Sequence, residues 1–248
     1  MTEIYLGNPL EHIKNWIIAH SEPIKPKMTP LCFTAEEANS SVKLKKDGSD
    51  AIEGFNGLEY KLNDGNWTSY NIGSTIELTN VGDKVYMRAV AARNSRMAIS
   101  NSSYYNFVTT GKIAASGNIN TLLNPDPEAE VSLAGKDFCY SNLFNNCKYL
   151  THAPALPATT LANYCYDEMF ANCTSLEKAP ELPAKTLTDG CYEGMFEYCS
   201  ALKAAPTLHA TTLANGCYMN MFIRCSSLTQ APELPATTLA DWCYSYMF

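Results

Sequence analysis

The sequence predicts an α+β chain: a short N-terminal helix and a small β-sandwich, followed by an α/β solenoid of 26-residue coils. Three observations carry this. Cys-Tyr recurs at 139, 165, 191, 217 and 243, and a second cysteine recurs at 147, 173, 199 and 225, both series stepping by 26 residues. A fixed period in the twenties marks repeats that stack on one another. Ahead of the repeats, short apolar-polar alternations separated by glycine turns mark strands, and before those lies one amphipathic stripe.

That stripe falls on residues 9–20, where Leu10, Ile13, Trp16 and Ile17 share one helical face, with Asn8 as cap and Pro9 at the first helical position. It reads as a helix packed on the next domain or as a docking helix for a larger assembly. Pro23, Pro26 and Pro30 make the following stretch an extended linker, so residues 1–30 form one unit. The opening Ile4-Tyr5-Leu6-Gly7-Asn8-Pro9 resembles the start of some phage structural proteins.

Residues 31–110 contain seven strand-like segments, at 31–34, 41–44, 58–62, 67–70, 75–78, 84–90 and 104–108, divided by turns such as Asp47-Gly48 and Gly82-Asp83. Seven short strands in about 80 residues resemble an immunoglobulin- or fibronectin-like sandwich. Cys32 has no second cysteine in this domain, so an antibody-type bridge is absent. Trp67 is expected to plug the core or the hairpin face rather than present a ligand platform. Residues 111–137, with Ile113, Ile119, Leu122 and Leu123, read as a degenerate coil capping the repeats.

From 138 to 248 the repeat takes over. Between Leu161 and Leu176 apolar residues sit at Leu161, Cys165, Tyr166, Met169, Phe170, Cys173 and Leu176, which fits one face of a 3.6-residue helix started by Thr159 or Thr160. Leu176 to Pro183 carries two prolines and reads as a short extended piece. The run from Leu-x-x-Ala-Pro-x-Leu through Cys-Tyr-x-x-Met-Phe-x-x-Cys, seen from Leu176 and again from Leu202, resembles the BspA-type (Treponema-type) leucine-rich repeats of bacterial surface proteins. Those repeats run to about 23 residues, so the resemblance implies a leucine-rich solenoid with an extra helical turn per coil. It implies a recognition scaffold and leaves the ligand open. Phe248 falls inside a Cys-Tyr-x-x-Met-Phe unit, which suggests a truncated C-terminal end.

A net charge of −7 disfavours a polyanionic partner such as nucleic acid. No apolar run reaches membrane-spanning length, and no signal peptide stands at the start. Ten cysteines invite a disulfide reading, yet nine are in repeat phase, and stacked equivalents about 8–10 Å apart lie beyond bridging distance. They read as reduced, buried hydrophobes. Metal-type Cys/His spacing is missing, no cofactor motif appears, and His12, His20, His152 and His209 have no phased nucleophile or carboxylate. No catalytic residue or metal ligand is assigned, and the chain reads as a non-enzyme.

What varies is the row after each repeat leucine: Thr151 and His152; Glu177, Lys178 and Glu181; Lys203 and Thr207; Thr229, Gln230 and Glu233. On a concave solenoid sheet such a row makes an extended contact surface. The expected function is therefore surface recognition or adhesion, extracellular or on the cell surface, with a protein or glycan of another cell or host matrix as partner. A phage virion or tail-associated host-contact protein and a ligand-free structural spacer are the alternatives.

Overall fold

The computed structural model describes residues 27–91 and 93–248; the stripe at residues 9–20 lies outside them. Ten strands run in order: β1 (Leu31–Ala35), β2 (Ser40–Asp47), β3 (Leu58–Leu62), β4 (Thr68–Tyr70), β5 (Thr75–Leu78), β6 (Lys84–Ala89), β7 (Ala98–Ser100), β8 (Ser103–Thr110), β9 (Ile113–Ser116) and β10 (Leu150–His152). They form a six-stranded sheet, β10-β9-β1-β6-β3-β4, and a four-stranded sheet, β5-β2-β8-β7. All pairings are antiparallel except β9 with β10.

The two sheets meet over a core in which alternate residues point inward, as the buried Val85, Met87 and Ala89 of β6 illustrate. Phe33 of β1 and Phe107 of β8 touch across it with ring centroids 4.8 Å apart. On the outer face Trp67 lies under the guanidinium of Arg88, 3.9 Å from the ring centre, which Glu59 in turn holds at 2.7 Å. Trp67 therefore belongs to the hairpin face and is covered by a cation.

The expected α+β class is corrected by the rest of the chain. The only helical element among the described residues is a 3-10 turn, Ile119–Leu122, and the protein is almost entirely β and turn. The helix expected between Leu161 and Leu176 is absent, and the coils do not close into an α/β leucine-rich solenoid. Each 26-residue unit instead carries a run of consecutive tight turns, and every fourth residue of the run is left-handed: Phe138, Asn142 and Asn146, then Tyr164, Glu168 and Asn172, then Gly190, Gly194 and Tyr198. No α-helix tolerates that alternation. The apolar spacing of four, one, three, one, three, three suits four-residue turns as well as a helical face, which explains the misreading.

The turns are held in two directions at once. Odd-numbered residues donate back three positions, as Cys139 N–H to Lys136 O and Leu143 N–H to Tyr140 O. Even-numbered residues donate to the next unit, as Tyr140 N–H to Cys165 O, Asn142 N–H to Asp167 O and Phe144 N–H to Met169 O. The same register repeats at Tyr166 to Cys191 and Phe170 to Met195, so successive units stack with identical residues superposed. Tyr140, Tyr166, Tyr192, Tyr218 and Tyr244 form one column at 5.7–5.8 Å, and Phe144, Phe170, Phe196, Phe222 and Phe248 form another at 5.3–5.8 Å.

All ten cysteines are free and buried. The second series has a defined job: Cys147 Sγ donates to Phe107 O, Cys173 to Phe144 O, Cys199 to Phe170 O and Cys225 to Phe196 O, at 3.0–3.1 Å. Burial pushes the thiols up, Cys139 and Cys147 to about 12, so they stay protonated donors.

The stack grows directly from the sandwich. Met97 N–H and Phe107 N–H donate to Cys139 O and Leu143 O, and β9 donates through Ile113 N–H to Tyr149 O before pairing with β10. Phe107 stacks on Phe144 at 5.2 Å, so one apolar core runs from the sheets into the repeats.

Candidate functional site

The six-stranded sheet does not stop at β10. Single bridges carry its direction onward from His152 to Lys178 and from Lys178 to Ala204, while Glu177 N–H donates to Thr151 O and Lys203 N–H to Glu177 O. The segments after each repeat leucine thus lie side by side. Their Ala-Pro content keeps side chains short beneath a charged rim, and a groove opens over β9 and the first two of these segments.

This groove encloses 680 Å3. Its floor is built from small or rigid residues such as Ala114, Gly117, Ala155, Ala179 and Pro180, and its rim carries Glu36, His152, Lys178 and Glu181. Gly117 is needed for a close approach, since a Cβ there would stand 2.1 Å from the carbonyl oxygen of Pro30 and the residue's φ is +76°. Glu36, in the connection between β1 and β2, accepts from the Thr151 hydroxyl at 2.7 Å and sits 3.9 Å from His152 Nδ1. Further along the same face a second groove of 360 Å3 runs between the segments 203–207 and 229–233.

Of the row expected to contact ligand, His152, Lys178 and Glu181 converge on the first groove, and Lys203, Thr207, Thr229, Gln230 and Glu233 line the second. Glu177 lies on the ridge between them, where its carboxylate pairs with Lys203 Nζ, which also holds it below the usual carboxylate range. Thr151 is corrected: it is buried, and its hydroxyl is taken by Glu36. It positions the rim and offers no free group. Glu36 itself was missed, because nothing in a residue 115 positions before Thr151 announces the pairing.

No cluster of His, Cys, Asp and Glu suited to a metal ion occurs among the described residues, and none of their helices is long and apolar enough to cross a membrane. Comparison with protein-family models, with curated proteins and with solved structures finds no match to this chain. Chemically, an apolar floor with both charge signs on its rim suits burial of an apolar moiety whose polar flanks are held by opposed ion pairs or hydrogen bonds. At the rim the buried Thr151 hydroxyl stands 3.1 Å from His152 Nδ1 as well as 2.7 Å from the Glu36 carboxylate, so these three side chains hold one another in place.

Proposed function

We propose that this chain is a non-enzymatic recognition protein, acting at a cell surface or outside the cell, which binds a protein or glycan along the face bearing the two grooves. The observation that carries the reading is the first groove: small residues of three adjoining segments form its floor, and Glu36, His152, Lys178 and Glu181 surround it. The same face repeats the arrangement at the second groove, which favours an extended ligand over a small one. The likeness of the repeat motif to BspA-type surface proteins supports the same role.

The test is a binding screen of the full chain against glycan arrays, matrix proteins and whole bacterial or host cells, repeated with Lys178→Ala/Glu181→Ala. Both side chains are exposed, so the double variant keeps the fold. A specific interaction weakened at least tenfold by the variant supports the reading. Binding to nothing on the panel would leave the chain a structural spacer, and binding indifferent to the variant would place the site off this face.

A further inference from the structure

One column of the stack breaks the apolar rule. The position occupied by Ser141 in the first unit holds Asp167 in the second, Glu193 in the third, Met219 in the fourth and Ser245 after it. Asp167 is 2 % exposed, and among the described residues its one side-chain partner is the Ser141 hydroxyl, which donates to Oδ2 at 3.3 Å across the joint between the units. Its own backbone carbonyl accepts from Asn142 N–H at 2.9 Å across the same joint.

The charged groups around it are alike in sign. Glu168 follows it on its own unit and Glu193 faces it from the next, with Glu197 beside Glu168. Tyr164 stands close on its own unit. From the sandwich, Tyr104 of β8 faces Glu168, with Asp47 and Lys45 of β2 behind it, and Lys45 is engaged by Asp47 at 2.8 Å. None of the four carboxylates has an ion-pair partner among the described residues.

We propose that the joint between residues 138–147 and 164–173 is an acid-tightened seam, closed while Asp167 keeps its proton and loosened when it ionises. The physical cause is first desolvation and then the like charges of Glu168 and Glu193, which together push the Asp167 carboxyl up to about 8. The sign is fixed by linkage. Once the seam opens, Asp167 meets water and titrates in the ordinary range near 4. Between that value and about 8 the closed seam holds a proton the open one has released, so closure weakens as pH rises through the window and is strongest below it. Asp167 also faces Glu193 across the joint to residues 190–199, whereas the joint beyond that pairs Glu193, only half-buried, with Met219, so the effect is confined to the joints that Asp167 lines.

Hydrogen exchange on the full chain tests this. The amides of Tyr140, Asn142 and Phe144 bridge the seam, and those of Tyr192, Gly194 and Phe196 bridge the joint between residues 190–199 and 216–225, which Asp167 does not line, as an internal control. Corrected for intrinsic exchange, protection at the first set should fall at least tenfold from pH 5 to pH 7.5 relative to the second. Asp167→Asn should remove that difference. Asp167→Ser, which copies the residue found at 141 and 245, serves if the amide misfolds. Equal pH dependence of both sets in the unaltered protein, or a difference that survives in both variants, overturns the proposal.

Discussion

The sandwich and the repeat stack satisfy the backbone by opposite means. Within the sandwich, from β1 to β9, each pair of neighbouring strands runs antiparallel, as in β1 with β6 or β2 with β8, so N–H groups point both ways along every ladder and strand dipoles cancel. In the turns of the stack every backbone-to-backbone bond between units points the same way: Tyr140 to Cys165, Tyr166 to Cys191, Tyr192 to Cys217 and Tyr218 to Cys243 all run from the earlier unit to the later. The extended segments oppose this, with Glu177 N–H donating back to Thr151 O and Lys203 N–H to Glu177 O. Cancellation between neighbouring strands is thus replaced by cancellation between two sides of each unit. A consequence is that the side-chain column, rather than the strand, becomes the unit of packing.

The comparison breaks most severely where the two regions share atoms. Phe107 contacts Phe33 of the opposite sheet and Phe144 of the first unit, and its backbone bonds both Leu143 O and the Cys147 thiol. Phe107→Ala should cost about 3–5 kcal/mol, in the range for a large aromatic removed from a packed core. If sandwich and stack are one cooperative unit, exchange protection falls in both. Loss confined to residues 31–110 would mean that they unfold separately.

A second prediction separates the rules for backbone shape. Gly190 has φ +57° and lies under the Tyr164 ring, whose Cε1 would be 2.2 Å from a Cβ. Gly216 occupies the equivalent place with φ +61° and open space around it. Gly216→Ala should cost about 1–2 kcal/mol, the ordinary left-handed penalty. Gly190→Ala should cost more, because the Tyr164 ring must also leave its stack on Phe138, now 4.9 Å away. Urea denaturation of the two variants compares them directly, and equal losses would show that the ring moves freely.

These glycines also show what could be read in advance. The seven strand segments of residues 31–110 were legible because alternation and Asp-Gly or Gly-Asp turns are local signals, and each segment overlaps an observed strand. β7 and β9 were not: β7 is three residues of a hairpin with β8, and β9 is fixed by β1 and β10, partners far off in the chain, of which β10 lies in the row read as a sheet face after the repeat leucine. The period of 26 was plain, yet the local shape within it was not. Apolar spacing alone does not separate a helix from turns of four; the deciding sign was Asn or Gly at 142, 146, 172, 190, 194, 216 and 220, residues that accept positive φ. Likewise His152, Lys178 and Glu181 were found from their phase in the repeat, whereas Glu36 reaches the groove only through the fold.

The smallest expected effect concerns the tyrosine column, whose members share a ring position but not a partner. Tyr140, the first, donates from its hydroxyl to Asn120 Oδ1 at 3.0 Å, tying the stack to the 3-10 turn. Tyr166, next in line, is equally buried, and its hydroxyl finds no partner among the described residues. Leaving a buried hydroxyl unmade costs about 1–3 kcal/mol, whereas a satisfied hydrogen bond contributes about 0.5–1.5. Tyr166→Phe should therefore raise stability by about 1 kcal/mol, and Tyr140→Phe should lower it by a similar amount, since Asn120 Oδ1 is then stranded. Both substitutions keep the ring and its stacking at 5.7–5.8 Å, so packing contributes little to the difference. Opposite signs in thermal or urea unfolding are the expected result, and a shared sign would mean that the column is set by ring packing alone.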